Sequence, residues 1–115
     1  MTRNVQLFIQ DILDYIERIN EYVEGYDQKH FVTDKKTCDS VLRCLEVIGE
    51  AAKNIPDDIR VQYPSVPWRE MAGMRDKVIH GYFVVDFEMV WLVIMEDLPL
   101  IKPTIKNMLE EMKSD

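Results

Sequence analysis

Near the N-terminus, apolar residues recur at the three- and four-residue steps of one helical face: Val5, Phe8, Ile9, Ile12, Leu13, Ile16, Ile19 and Val23. The pattern predicts a first helix from about Arg3 to Gly25. Tyr15, Tyr22 and Tyr26 lie on one edge of that face. They widen the apolar arc to roughly half the circumference at ~100° per residue. One neighbouring helix covers a narrower stripe than that. The aromatic edge therefore either meets a second neighbour, helix or subunit, or rims the core with its hydroxyls in water.

Gly25–Thr33 reads as a loop. Thr33 or Asp34 then caps a second helix whose apolar face is Val41, Leu42, Leu45, Ile48, Ala52 and Ile55, and Pro56 stops it. A short helical turn is predicted over Asp57–Gln62. Tyr63-Pro64-Ser65-Val66-Pro67 is a stiff connector, because each proline fixes its own φ and biases its predecessor to extended geometry. Pro67 suits the start of a third helix, Trp68 to Ile79 or His80, with Gly81 as its left-handed cap. Asp86 opens a long fourth segment. Phe87, Val90, Trp91, Ile94, Leu98, Ile101, Ile105, Met108, Leu109 and Met112 keep helical spacing through it. Pro99 and Pro103 fall inside that pattern, so a kink or break is expected near Asp97–Pro99. The sum is a single all-α domain over 1–115, an antiparallel four- or five-helix up-down bundle. Trp68 and Trp91 are expected core anchors, and the methionines gap-fillers. Gly49 and Gly73, inside helices, suggest close helix approach.

At 115 residues a chain can bury a core without disulfides or metal. Cys38 and Cys44, six apart on one helix, point in different directions and are expected as free thiols. No run is apolar enough to span a bilayer. Thr2, Arg3 and Asn4 lead into an amphipathic segment, not a signal peptide, so a cytoplasmic protein is expected. The net charge is −7. Such a balance speaks against a nucleic-acid coat or a polybasic membrane binder. The charge is uneven, however. Residues 1–30 carry −3, 31–66 carry −1 and 86–115 carry −4, whereas 67–85 carry +1. That net-positive stretch contains Met74-Arg75-Asp76-Lys77-Val78-Ile79-His80-Gly81-Tyr82.

His80 titrates near neutrality without help, and Asp76, one helical turn earlier, is placed to fix its tautomer. Arg75 lies about 140° around an ideal helix from His80. The two converge on one phosphate only if the Arg side chain reaches around, the helix loosens before Gly81, or a second subunit supplies one of them. An Arg with a His is what metal-free RNA cleavage needs: the His moves a proton to or from the 2′-hydroxyl or leaving 5′-oxygen, and the Arg holds the phosphate. The bland alternative is a helix-terminal histidine favoured by the dipole beside a solvated Arg75 and Asp76. His30, beside Lys29 and Phe31, reads as a surface histidine. No zinc spacing, phosphate-cradling glycine loop or nucleophile elbow is present.

The chain resembles the HepT-like (DUF86) toxins of the HEPN superfamily. The likeness rests on Arg75-x4-His80-x-Tyr82 in a late helix, Ile48-Gly49-Glu50-Ala51-Ala52-Lys53 before Pro56, Pro67-Trp68-Arg69-Glu70-Met71-Ala72-Gly73-Met74 before Arg75, and the Asp97-Leu98-Pro99 break. The resemblance implies a homodimer that brings two Arg-x4-His motifs into one cleft and cleaves RNA, tRNA or mRNA, without metal or cofactor. Arg75 would bind phosphate, His80 act as general acid/base and Asp76 support them. Tyr82 would accept AMP from a minimal nucleotidyltransferase antitoxin, as in a type VII-like toxin–antitoxin pair. Glu50, Asn54 and Lys77 are candidate cleft residues. The competing function is a non-catalytic binding or scaffold subunit of a nucleotidyltransferase complex, which the acidic balance suits. A purely structural helical dimer is a third reading.

Overall fold

A computed structural model describes residues 3–79 and 85–114, with backbone alone for residues 3 and 75–79. It is all-α, with no strand among the described residues. The helices are α1 (Arg3–Tyr22), α2 (Gln28–Thr33), α3 (Lys35–Lys53), α4 (Asp57–Gln62), α5 (Trp68–Ile79), α6 (Phe87–Leu92) and α7 (Leu98–Ser114). A π-helical turn, Val93–Asp97, joins α6 to α7. The α6–α7 rod, α1, α3 and α5 are the four long members of the bundle; α2 and α4 are short connectors. α3 packs between α1 and α5, and α1 packs in turn on α7.

The expected faces are the buried ones. Val5, Ile9, Ile12, Leu13, Ile16, Ile19 and Val23 of α1 meet Val41, Leu45, Ile48, Ala52 and Ile55 at the core, with Phe8 and Leu42 half-buried beside it. Trp68 and Trp91 are both buried, as anchors should be. No polar or charged residue is buried among the described residues, so the core is held by apolar area alone. Met71, Met108 and Met112 fill it, but Met89 and Met95 are exposed and do not act as core filler. Around Gly73, a Cβ would meet no described atom within 4 Å, so no close approach by a described helix explains that glycine. Gly49 is buried on α3.

The first correction falls at 25–33. Tyr22 ends α1, and Gly25 turns the chain with φ +80°, in the left-handed region that suits glycine. Beyond that turn, Gln28–Thr33 is a helix rather than a loop. Asp27 caps α2 by accepting the His30 N–H at 2.7 Å, and Phe31, fully buried, pins it. Phe31 meets Trp91 at 5.3 Å between ring centroids and Phe87 edge-on at 6.3 Å, tying α2 to α6. Asp34 then caps α3 through the Thr37 N–H.

The second correction concerns the prolines. The fourth rod does not break. Pro99 has no N–H to give to the carbonyl four residues back, and its ring would crowd that carbonyl. The backbone widens just before it: the Leu98 N–H donates to Val93 C=O, five residues back, within the π turn. The helix then continues through Pro103 to Ser114.

Candidate functional site

Three contacts fix where α5 begins. The Trp68 N–H donates to Val66 C=O at 2.9 Å, and the Met71 N–H to Pro67 C=O at 3.0 Å. The Trp68 indole N–H donates to Tyr63 C=O at 3.1 Å, so the proline-bearing connector is clamped to the helix it launches. The Tyr63 hydroxyl bonds the Glu111 carboxylate, which fastens the same connector to α7. With Trp68 and Met71 buried, the rotation of α5 against α3 is set from its first turn.

Arg75, Asp76 and Lys77 therefore stand on helical backbone in the last turns of α5. The helix is unbroken through Ile79, so no loosening occurs between Arg75 and that residue. The side chains of Arg75, Asp76 and Lys77, and all of His80, Gly81 and Tyr82, lie outside the described residues, including the expected cap at Gly81.

Glu50 and Asn54 do come together. The Asn54 side-chain amide donates to Glu50 C=O at 2.8 Å and more weakly to a Glu50 carboxylate oxygen at 3.4 Å. Both are exposed at the C-terminal end of α3. Glu50 opens toward α1, where it lines a shallow groove of about 220 Å³ with Phe8, Asp11, Arg43, Glu46, Val47 and Ala51. Within the groove Arg43 and Glu46 form an exposed ion pair at 3.2 Å.

The other candidates resolve simply. Cys38 and Cys44 are free and buried, and burial pushes both thiols up from their ordinary value. The Cys38 thiol donates to Phe31 C=O at 3.1 Å, so it serves α2–α3 packing rather than reaction. His30 is exposed, as expected of a surface histidine, though on α2 rather than in a loop. Its ring stacks on Tyr26 at 4.0 Å and 2°. Tyr26 is the inner member of the tyrosine edge: its hydroxyl donates to Asp34 at 2.6 Å. Tyr15 is half-buried under the Arg18 guanidinium, and Tyr22 is exposed. Among the described residues no three His, Cys, Asp or Glu side chains converge to hold a metal ion. None of the described helices is long and apolar enough to cross a membrane.

Two features escaped the sequence reading. Arg60, on α4, donates to Ile55, Ala52 and Lys53 carbonyls at 3.0, 2.9 and 3.4 Å, closing the C-terminal end of α3. The α1–α3 groove is the other. It joins side chains of two helices far apart in the sequence, so no local pattern signals it.

A small all-α bundle with an Arg-x4-His-x-Tyr sequence at the end of its α5 segment defines the class. The sequence profile of the HepT-like family, described as ribonuclease HepT-like, matches residues 12–108, which include Arg75, His80 and Tyr82. A Thermococcus cleftensis protein named "Probable ribonuclease HepT" is 47% identical over 89% of this chain and 93% of its own. The Methanocaldococcus jannaschii protein MJ0125, named as an RNase, is 42% identical over 96% of each chain. TTE0752 of Caldanaerobacter subterraneus, also named as an RNase, is 39% identical over 92% of this chain and 95% of its own. No solved structure matches the chain. The chain belongs to the HepT-like ribonuclease family.

Proposed function

We propose that this chain is a ribonuclease toxin that cuts RNA without metal at an Arg75–His80 site and is silenced by AMP on Tyr82. The observation that carries the reading is family membership over nearly the whole chain, with Arg75-Asp76-x3-His80-x-Tyr82 intact inside the matched span. In the reaction, His80 takes the proton from a ribose 2′-hydroxyl. The 2′-oxygen attacks the adjacent phosphorus, and the P–O5′ bond breaks. The leaving 5′-oxygen receives a proton, from His80 of the same or a second copy or from water. Arg75 neutralises the charge that builds on the non-bridging oxygens, and Asp76 orients the pair. The products are a 2′,3′-cyclic phosphate and a 5′-hydroxyl.

Two copies supply two such motifs to one cleft, which removes the difficulty that Arg75 and His80 face differently on one ideal helix. A nucleotidyltransferase antitoxin would add AMP to Tyr82, placing phosphate beside Arg75 where substrate phosphate binds. Lys77 and Glu50 with Asn54 would flank that cleft. The substrate is tRNA or mRNA, and the setting cytoplasmic.

The test is cleavage of RNA by unmodified protein in excess EDTA, with product ends identified. Cyclic phosphate ends that persist in EDTA, and that fall by roughly 10²-fold or more in His80→Ala and Arg75→Ala, are expected. Absence of cleavage, together with toxicity unchanged in His80→Ala, would falsify the reading. The scaffold reading is favoured by the −7 charge, which repels RNA over most of the surface. It predicts nucleotidyltransferase binding that survives the Arg75→Ala/His80→Ala double variant, with no RNA cleaved by either protein.

A further inference from the structure

Tyr63 ties three helices together. It ends α4, its N–H donating to Arg60 C=O at 3.1 Å. Its C=O accepts the Val66 N–H at 3.2 Å and the Trp68 indole N–H at 3.1 Å, so one carbonyl holds both the connector and the first residue of α5. Its hydroxyl donates to a Glu111 carboxylate oxygen on α7, 48 residues further along the chain. The Asn107 side-chain amide, one turn earlier on α7, donates to the other Glu111 oxygen at 2.9 Å. The carboxylate is thus held at both oxygens and is presented to Tyr63 in a fixed orientation. We infer that Tyr63 and Glu111 are positioning residues for the RNA-cleaving site: their bond sets where α5, and with it Arg75 and His80, lies relative to α7.

Apolar packing alone leaves that placement loose. Val66, Trp68 and Met71 are buried and Met74 is half-buried, which seats the connector and α5 on the core. Burial is non-directional, so it resists exposure of these side chains far more than it resists a small slip of the helix along or about its axis. Hydrogen bonds are directional and weaken steeply when misaligned, so the two that run through Tyr63 oppose such a slip. The connector passes on what they fix. Pro64 and Pro67 each lock one φ, which leaves little slack between Tyr63 and Trp68. Arg75 stands seven residues beyond Trp68, about 10.5 Å along α5. A helix that turns by ~10° moves an atom ~6 Å from its axis by about 1 Å. A misplacement of that size slows a reaction between positioned groups by up to about a hundredfold.

This inference rests on the cleavage reading above and adds residues that act through α5. The test is steady-state cleavage of a tRNA transcript and an mRNA transcript by the unmodified full chain. The variants are Tyr63→Phe, Glu111→Ala, Glu111→Gln and the Tyr63→Phe/Glu111→Ala double. Tyr26→Phe, which loses a hydroxyl bond to Asp34 far along the sequence from α5, is the control. Tyr63→Phe keeps its ring and Glu111 is exposed, and circular dichroism checks that each variant is folded. Tyr63→Phe and Glu111→Ala should each lower kcat roughly tenfold, with KM within about threefold of wild type. The double variant should be no slower than either single, because all three remove the same bond. Glu111→Gln keeps an oxygen for the Tyr63 hydroxyl and should stay within about threefold of wild type. Tyr26→Phe should keep the wild-type kcat. Loss of one hydrogen bond leaves a stable domain almost wholly folded, so a fall in kcat confined to the Tyr63 and Glu111 variants reports geometry and not stability. Wild-type kcat in both Tyr63→Phe and Glu111→Ala overturns the positioning role alone, as do additive losses in the double variant or an equal loss in Tyr26→Phe. A wild type that cuts neither transcript overturns the cleavage reading and this inference with it.

Discussion

Asp34 shows how much one short side chain does in this fold. Its carboxylate accepts the Thr37 N–H as the cap of α3, the Thr37 hydroxyl at 3.0 Å and the Tyr26 hydroxyl at 2.6 Å. The Tyr26 bond, followed by the two from Thr37, holds its carboxyl below the ordinary aspartate range. A carboxyl with a lowered folded value stabilises the fold above its unfolded pKa, and that contribution fades as pH falls through the folded value. Acid titration of stability below about pH 4 should therefore be shallower in Asp34→Asn than in wild type, read from denaturant midpoints at each pH. Tyr26→Phe removes the shared donor and keeps the ring under His30, so it should cost about 1 kcal/mol by urea unfolding. An unchanged midpoint would mean that water replaces the hydroxyl without loss.

At the scale of elements, the long helices were legible and the short α2 was not. The apolar steps in α1, α3 and the α6–α7 rod mark their faces because three or more turns repeat the signal, while Pro67 marks where α5 starts. α2 has six residues, too few for a period, and its polar composition resembles a loop. Its main tertiary anchor is Phe31, with Val32 half-buried against the core beside it, and only the fold reveals them. Phe31→Ala should therefore cost about 3–5 kcal/mol, with a melting temperature well below that of a surface control such as Val61→Ala. Pro99 flagged the correct place in the fourth rod but not the response, because a proline can be met by a break, a kink or a widened turn, and sequence alone does not choose among them. Pro103 is exposed inside α7 and no described contact requires its ring. Restoring an N–H with Pro103→Ala should raise stability by on the order of 1 kcal/mol, less than the ~3 kcal/mol of an unrelaxed interior proline. The candidate site divides in the same way. Arg75 and His80 were legible as a motif within six residues, whereas the α1–α3 groove joins side chains more than thirty residues apart, and no local pattern reports that they meet.

For the molecule as a whole, the central electrostatic fact is a net charge of −7 on a body with one net-positive segment, residues 67–85. Residues 1–30 and 86–115 carry most of the negative charge and should repel an RNA strand, so attraction is expected chiefly at the net-positive 67–85 segment. The number of phosphates neutralised should therefore be small, about two or three for a pair of motifs. For single-stranded nucleic acid the affinity falls with a log–log salt slope of about −0.7 per phosphate contacted, which gives roughly −1.4 to −2.1 here. The acidic surroundings oppose that trend, since salt also screens the repulsion, and so flatten the slope further. Binding of an RNA analogue with 2′-deoxy sugar at the cleavage position, measured from about 50 to 300 mM KCl, separates the possibilities cleanly, because cleavage cannot occur during titration. A slope steeper than about −4 would require six or more phosphate contacts. With a net charge of only +1 on residues 67–85, such a result would favour RNA binding by a partner protein and shift the balance to the scaffold reading.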